Sequence, residues 1–118
     1  MMRQLLLAAS IVAPLALSHA IAEAPPAAFA ACSACHSADG ANGVGPTLKG
    51  VYGRKSGTAS GFTYSRAMRS AGLTWDEKSL DSFLADPQKA VPGNHMPFPG
   101  VPDAKQRADV IDYLKTAK

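Results

Sequence analysis

The chain has 118 residues and a formal charge of +3 at neutral pH. That length holds one domain once a leader is set aside, and the charge is too small for a nucleic-acid or strongly anionic membrane partner. Arg3 belongs to the leader, so the remainder carries only about +2. The only two cysteines stand at positions 32 and 35, so no disulfide framework ties distant segments together.

Arg3 precedes an apolar run from Leu5 to Leu17, interrupted only by Ser10 and Pro14, and Ser18-His19-Ala20 supplies small residues for cleavage. Ala20-Ile21-Ala22 is an equal site. Residues 1–22 are therefore expected to be a signal peptide cut after Ala20 or Ala22, leaving 23–118 as the working domain. A retained membrane anchor is the competing reading. The run is short for a bilayer span, and no cysteine near the cut could carry a lipid.

Glu23 to Pro26 reads as extended, because the residue before a proline avoids the α region. A short helix can begin near Pro26 and run through the alanines around Phe29, since proline is tolerated in a first turn and alanine is the best helix former. It leads into Cys32-Ser33-Ala34-Cys35-His36. Two thiols three positions apart, followed at once by an imidazole, match the attachment pattern of a covalent c-type haem. One helical turn brings both sulfurs to the same porphyrin edge, for thioether bonds from Cys32 and Cys35. His36 then falls beneath the ring, where a neutral imidazole nitrogen can ligate iron.

Two other chemistries use such residues. A dithiol redox pair would want a βαβ pattern, which is missing, and a zinc site would want further ligands at matching spacing. The only later histidine is His95.

Ser37 to Gly61 reads as loop, punctuated by Asp39-Gly40, Asn42-Gly43, Gly45-Pro46 and Gly50. A loop this long in a small domain needs something to wrap, and a porphyrin supplies it. Tyr64 to Ala71 reads as a short helix with Gly72 as its left-handed stop. Thr74-Trp75-Asp76-Glu77 reads as a capping box, Thr74 capping and Glu77 three positions on. The helix it starts puts Leu80, Phe83 and Leu84 on one face and ends at Asp86-Pro87. Val91 to Pro102 is too rich in proline for helix or central strand. Asp103 is a further N-cap with Gln106 at N3, opening a helix to near Lys118 with Ala104, Ala108, Ile111 and Leu114 on its buried stripe. The expected class is all-α, three main short helices plus long loops wrapped around one covalent haem.

Such an iron normally takes a second axial ligand. Outside the leader the candidates are Met68, His95 and Met96, with lysines as weaker ones. Met68 lies mid-helix, where methionine usually fills gaps. Met96 sits in the proline-rich loop, where stiff backbone can hold a thioether in place, and a neutral sulfur raises the potential. His95 adjoins it, but neighbours on an extended segment point to opposite sides. Met96 is the favoured ligand, His95 the alternative, and an open site the third case.

With both motifs placed, the chain closely resembles the class I cytochromes c, from about Cys32 to Lys115. Beyond the cysteine motif the resemblance rests on Gly45-Pro46-Thr47-Leu48, Gly53-Arg54-Lys55, Gly61-Phe62-Thr63-Tyr64, Leu73-Thr74-Trp75 and Pro92-Gly93-Asn94-His95-Met96-Pro97-Phe98. It implies that the Pro46 carbonyl receives the far ring nitrogen of His36, as outer partners of metal ligands do. It further implies that Arg54, Tyr64 and Trp75 donate to the haem propionates, and that Phe29 meets Tyr113 between the first and last helices. Departures from the family pattern are Met68 where Asn is common, Phe83 for Tyr, Asn94 for Thr and His95 for Lys. The first two imply a drier pocket beside Met96.

The resemblance implies a soluble, monomeric, periplasmic one-electron carrier rather than an enzyme. It would cycle Fe(II)/Fe(III) in haem c between respiratory-chain donors and acceptors, such as a cytochrome bc1-type reductase, a terminal oxidase or a peroxidase. It would not insert stably in the membrane. Lys55, Lys89 and Arg66 are possible docking charges. The competing class is a haem enzyme or sensor with an open or His-ligated sixth position.

Overall fold

The computed structural model describes residues 10–17 and 23–118. Most of the expected signal peptide, residues 1–9 and 18–22 with both cleavage sites, lies outside the described residues. Residues 10–17 have no regular secondary structure and are exposed.

Pro26 closes a 3-10 turn, Ala27–Phe29, by accepting from the Phe29 N–H at 2.9 Å. The turn passes directly into helix α1, Ala30–Ser33, as the alanine-rich stretch predicts. The 37–61 stretch contains no helix.

Helix α2, Arg66–Ser70, starts two positions later than expected. Ser65 is the reason: its buried hydroxyl accepts from the Met68 N–H at 3.0 Å and sets the cap there. Gly72 follows at φ +65°, the left-handed stop that an L side chain would resist.

Helix α3, Glu77–Ala85, corrects the expected cap. Asp76, not Thr74, is the N-cap, and Ser79, not Glu77, completes a reciprocal box at 2.9 Å in each direction. Thr74 is unavailable because its backbone forms an isolated antiparallel bridge with Lys55, while the Trp75 N–H donates to the Arg54 carbonyl at 2.9 Å. The chain is still extended there, and helical φ/ψ begins only after Asp76. As predicted, Leu80, Phe83 and Leu84 are buried and Asp86 ends the helix.

Asp86 then serves a second time. Its carboxylate accepts from the Lys89 N–H, opening helix α4, Pro87–Ala90, with Pro87 at the first position. The sequence reading lacks this helix, although Asp-Pro is its ordinary start signal.

Helix α5, Ala104–Thr116, is capped by Asp103, which accepts from the Gln106 N–H at 2.8 Å. Its buried stripe is rotated from the expected one. Val110, Ile111 and Leu114 are buried, whereas Ala104 and Ala108 are exposed. Arg107 occupies the inner face in their place, its guanidinium paired with Asp81 at 2.8 Å and donating to the carbonyls of Val101 and Pro102. A long cation with its head satisfied can lie along apolar surface.

α5 packs on α3 and on the 3-10 turn, and α3 also packs on α4. Phe29 and Tyr113 meet edge to face with ring centroids 4.7 Å apart, the contact the resemblance implies between first and last helices. Among the described residues there is no strand, and no helix is long and apolar enough to cross a membrane. The all-α expectation holds.

Candidate haem pocket

Every residue the sequence singles out for the cofactor lines one cavity of about 380 Å³. Cys32, Cys35 and His36 reach it from α1 and the turn behind it, Pro46 and Arg54 from the long loop, Tyr64 and Trp75 from the ends of connecting segments, and Met96 from the proline-rich loop. Phe29, Leu48, Val51, Leu80 and Phe83 supply apolar wall.

The cysteine motif curls as one turn. The N–H groups of Cys35 and His36 both donate to the Cys32 carbonyl, at 3.1 and 2.9 Å. Both cysteines are free thiols. Burial pushes the Cys32 thiol above its ordinary value, which disfavours the thiolate that a redox pair needs. Among the described residues no three His, Cys, Asp or Glu side chains gather to hold a metal ion, so the zinc reading has no donor set.

His36 is fixed by the loop that follows it. Its Nδ1 donates to the Pro46 carbonyl at 2.8 Å, which leaves Nε2 as the nitrogen with a free lone pair. The loop is itself tied back: the Gly45 N–H donates to the Cys35 carbonyl at 2.9 Å, and the Leu48 N–H to the Ser37 carbonyl at 2.7 Å. Gly45 lies flat beneath the imidazole, where a Cβ would come within 2.5 Å of the ring. In the sequence Gly45 reads as a turn signal and as part of the Gly45-Pro46-Thr47-Leu48 segment, with no steric role.

Polar side chains interrupt the apolar lining, Arg54, Tyr64 and Trp75 among them. Arg54 donates from Nη1 to the Lys49 carbonyl and from Nη2 to the Thr47 carbonyl, both at 3.1 Å, but its Nε–H is buried with no acceptor. Tyr64 accepts from the Ala59 N–H at 3.0 Å and keeps its own hydroxyl hydrogen to give. Trp75 is buried against Phe83, ring centroids 5.0 Å apart. A buried cationic donor without a partner costs free energy unless an anion reaches it. An apolar slot with such a donor at its edge, two thiols and an imidazole at its mouth fits a flat carboxylated macrocycle. Met68 and Phe83, two of the departures from the family pattern, line the cavity as well.

Met96 is half-buried and packs against the core cluster, while His95 beside it is exposed. Asn94 is buried between α4 and this loop. In the sequence it registers only as a replacement for a common Thr, because its role depends on carbonyls that the fold brings around it.

The comparisons agree with this chemistry. The cytochrome c family model matches residues 22–118. Cytochrome c2 iso-2 of Magnetospirillum molischianum is 54% identical over 94 residues, 79% of this chain and 97% of that protein. The cytochrome c of Tetrahymena pyriformis is 51% identical over 85 residues, 72% of this chain and 77% of its own. Among solved structures, cytochrome cH from Methylobacterium extorquens superposes with a TM-score of 0.73 at 56% identity, covering 75% of this chain and 91% of that one. The chain belongs to the cytochrome c family and is an electron-transfer protein built for covalent haem c.

Proposed function

We propose that this chain is an exported, periplasmic one-electron carrier whose iron is held by His36 and Met96, with Cys32 and Cys35 forming the thioether links. Haem c, when bound, supplies a single Fe(II)/Fe(III) couple. The residues do the rest. Pro46 orients His36 and increases its basicity through the Nδ1 hydrogen bond. Met96 brings a neutral sulfur that favours the reduced state. Arg54, Tyr64 and Trp75 donate to the propionates, Arg54 through the Nε–H that the protein leaves without an acceptor.

The observation that carries this reading is the His36–Pro46 hydrogen bond, which orients the imidazole in a cavity that Met96 also lines. His36 and Met96 would hold the iron between them and leave no position for a substrate, the arrangement of a carrier rather than an enzyme. It works as a monomer, released from its leader at Ala20 or Ala22. It docks weakly on membrane oxidoreductase complexes of the reductase, oxidase or peroxidase kind.

Absorption spectra of the oxidised and reduced holoprotein test the assignment. A long-wavelength sulfur-to-iron band in the oxidised state, together with resistance of the reduced state to carbon monoxide, is the expected result. Rapid carbon monoxide binding would instead support a haem enzyme or sensor. Docking by charge adds a separate expectation: reduction by an acidic partner slows as salt rises.

A further inference from the structure

We infer that Asn94 is the positioning residue that presents Met96, rather than the adjacent His95, to the iron. The inference rests on the proposed Met96 ligation and adds how the choice between two neighbouring donors is made.

Asn94 is 6% exposed, and its polar groups are all engaged. Its Nδ2 donates to the carbonyls of Pro87 and Val91, both at 2.9 Å. Its backbone N–H donates to the Val91 carbonyl at 3.1 Å, and its own carbonyl accepts from Gln88 Nε2 at 2.9 Å. Gln88 Oε1 in turn accepts from the Gly93 N–H. With these partners used, Asn94 Oδ1 accepts from the Met96 N–H at 2.9 Å. The side chain is thus a rivet between α4, which packs on α3, and the peptide that carries the ligand.

The rivet matters because the other ties of this loop, Phe98 N–H to the Met96 carbonyl at 2.9 Å and Val101 N–H to the Leu84 carbonyl at 2.7 Å, leave the Met96 N–H to Asn94. Pro92, Pro97 and Pro99 have no N–H to donate. Fixing the Met96 N–H fixes the 95–96 peptide, and with it which of two successive side chains turns inward. Both residues line the cavity, but Met96 is half-buried against the core and His95 is exposed. A rotation of that peptide would exchange them and offer an imidazole in place of a thioether. Retaining the sulfur therefore depends on a hydrogen bond from a side chain that is neither candidate ligand but lines the same cavity.

Imidazole titration of the oxidised holoprotein reads this directly, because the added ligand displaces Met96 with an apparent affinity set by how easily Met96 detaches. Asn94→Ala is expected to raise that affinity about tenfold, the scale of one buried hydrogen bond lost with its partners stranded. Asn94→Ser should raise it less, since a hydroxyl makes the same local turn more weakly. Asp76→Ala, which unties the start of α3 at the end away from α4 and this loop, should leave it unchanged. Without added ligand, Asn94→Ala should lose part of its sulfur-to-iron band while staying low-spin, and adding His95→Gln should restore the band. An unchanged affinity in Asn94→Ala, an equal rise in Asp76→Ala, or a band that His95→Gln does not restore would overturn the inference. A wild-type protein lacking the band would overturn the Met96 assignment itself.

Discussion

His36 is gripped at Nδ1 by the Pro46 carbonyl and crowded from below by the Gly45 backbone. A Cβ on Gly45 would lie 2.5 Å from Cε1, 2.7 Å from Nδ1 and 2.9 Å from Nε2, closer than any of these atoms can tolerate. Gly45→Ala must therefore swing the imidazole or lift the loop, breaking the 2.8 Å bond to Pro46. A destabilisation of about 1–3 kcal/mol, the usual scale for overpacking, is expected in thermal melts of the holoprotein. A shifted absorption spectrum should accompany it. A Gly45→Ala variant with wild-type spectrum and melting temperature would show that the glycine is not a steric requirement. That the cysteines, His36 and Met96 share one cavity could be anticipated because their chemistry is local or nearly so. The parts of Gly45 and Asn94 could not, since neither carries chemistry and both act only through atoms that folding brings to them.

At the level of helices, the caps carry testable weight. Asp103→Ala removes the bond to the Gln106 N–H and is expected to cost about 1 kcal/mol, read as a lower denaturation midpoint. Asp76 adds a pH dependence. The Ser79 backbone N–H, with the Ser79 hydroxyl behind it, holds its carboxyl below the ordinary value of 3.8. The Ser37 hydroxyl and Ala41 N–H do the same for Asp39. The folded state thus prefers both carboxylates ionised. Their stabilisation is complete above the ordinary carboxyl range and drains away as pH falls through the lowered folded values. Asp76→Asn keeps a capping oxygen but cannot titrate, so melting temperature should hold near neutrality and fall less steeply below about pH 4. An acid limb as steep as wild type would remove Asp76 from the account. Thr74 in the same role predicts something different: Thr74→Ala would weaken α3, whereas the Asp76–Ser79 box makes Asp76→Ala the damaging change.

For the whole molecule the pocket is the centre of the core, and the protein alone does not fill it. Phe29, Trp75, Leu80, Phe83, Val110 and Leu114 belong both to the buried cluster and to the lining of the cavity of about 380 Å³. Filling it with a macrocycle that removes several hundred Å² of apolar surface from water contributes on the order of 10 kcal/mol, comparable with the entire stability of a small domain. Haem-free protein is therefore expected to be poorly folded, with weak near-UV circular dichroism and a broad melt. Native-like near-UV signal in the haem-free chain would contradict this.

The sequence by itself determined the cofactor chemistry, the all-α class and most helix positions. Thiol spacing, proline and glycine punctuation and apolar periodicity are short-range properties that survive without the fold. Tertiary structure decided which residue caps α3, because the Lys55–Thr74 bridge keeps Thr74 extended. It decided the inner face of α5, because Asp81 is there to satisfy Arg107 and let a charge lie where alanines were expected. It also decided which way the 95–96 peptide faces, because Asn94 finds the carbonyls of Pro87 and Val91 only after α4 has packed. In each case the deciding partner lies across a turn or loop, and periodicity cannot tell a hydrogen bond that is made from one that is merely possible.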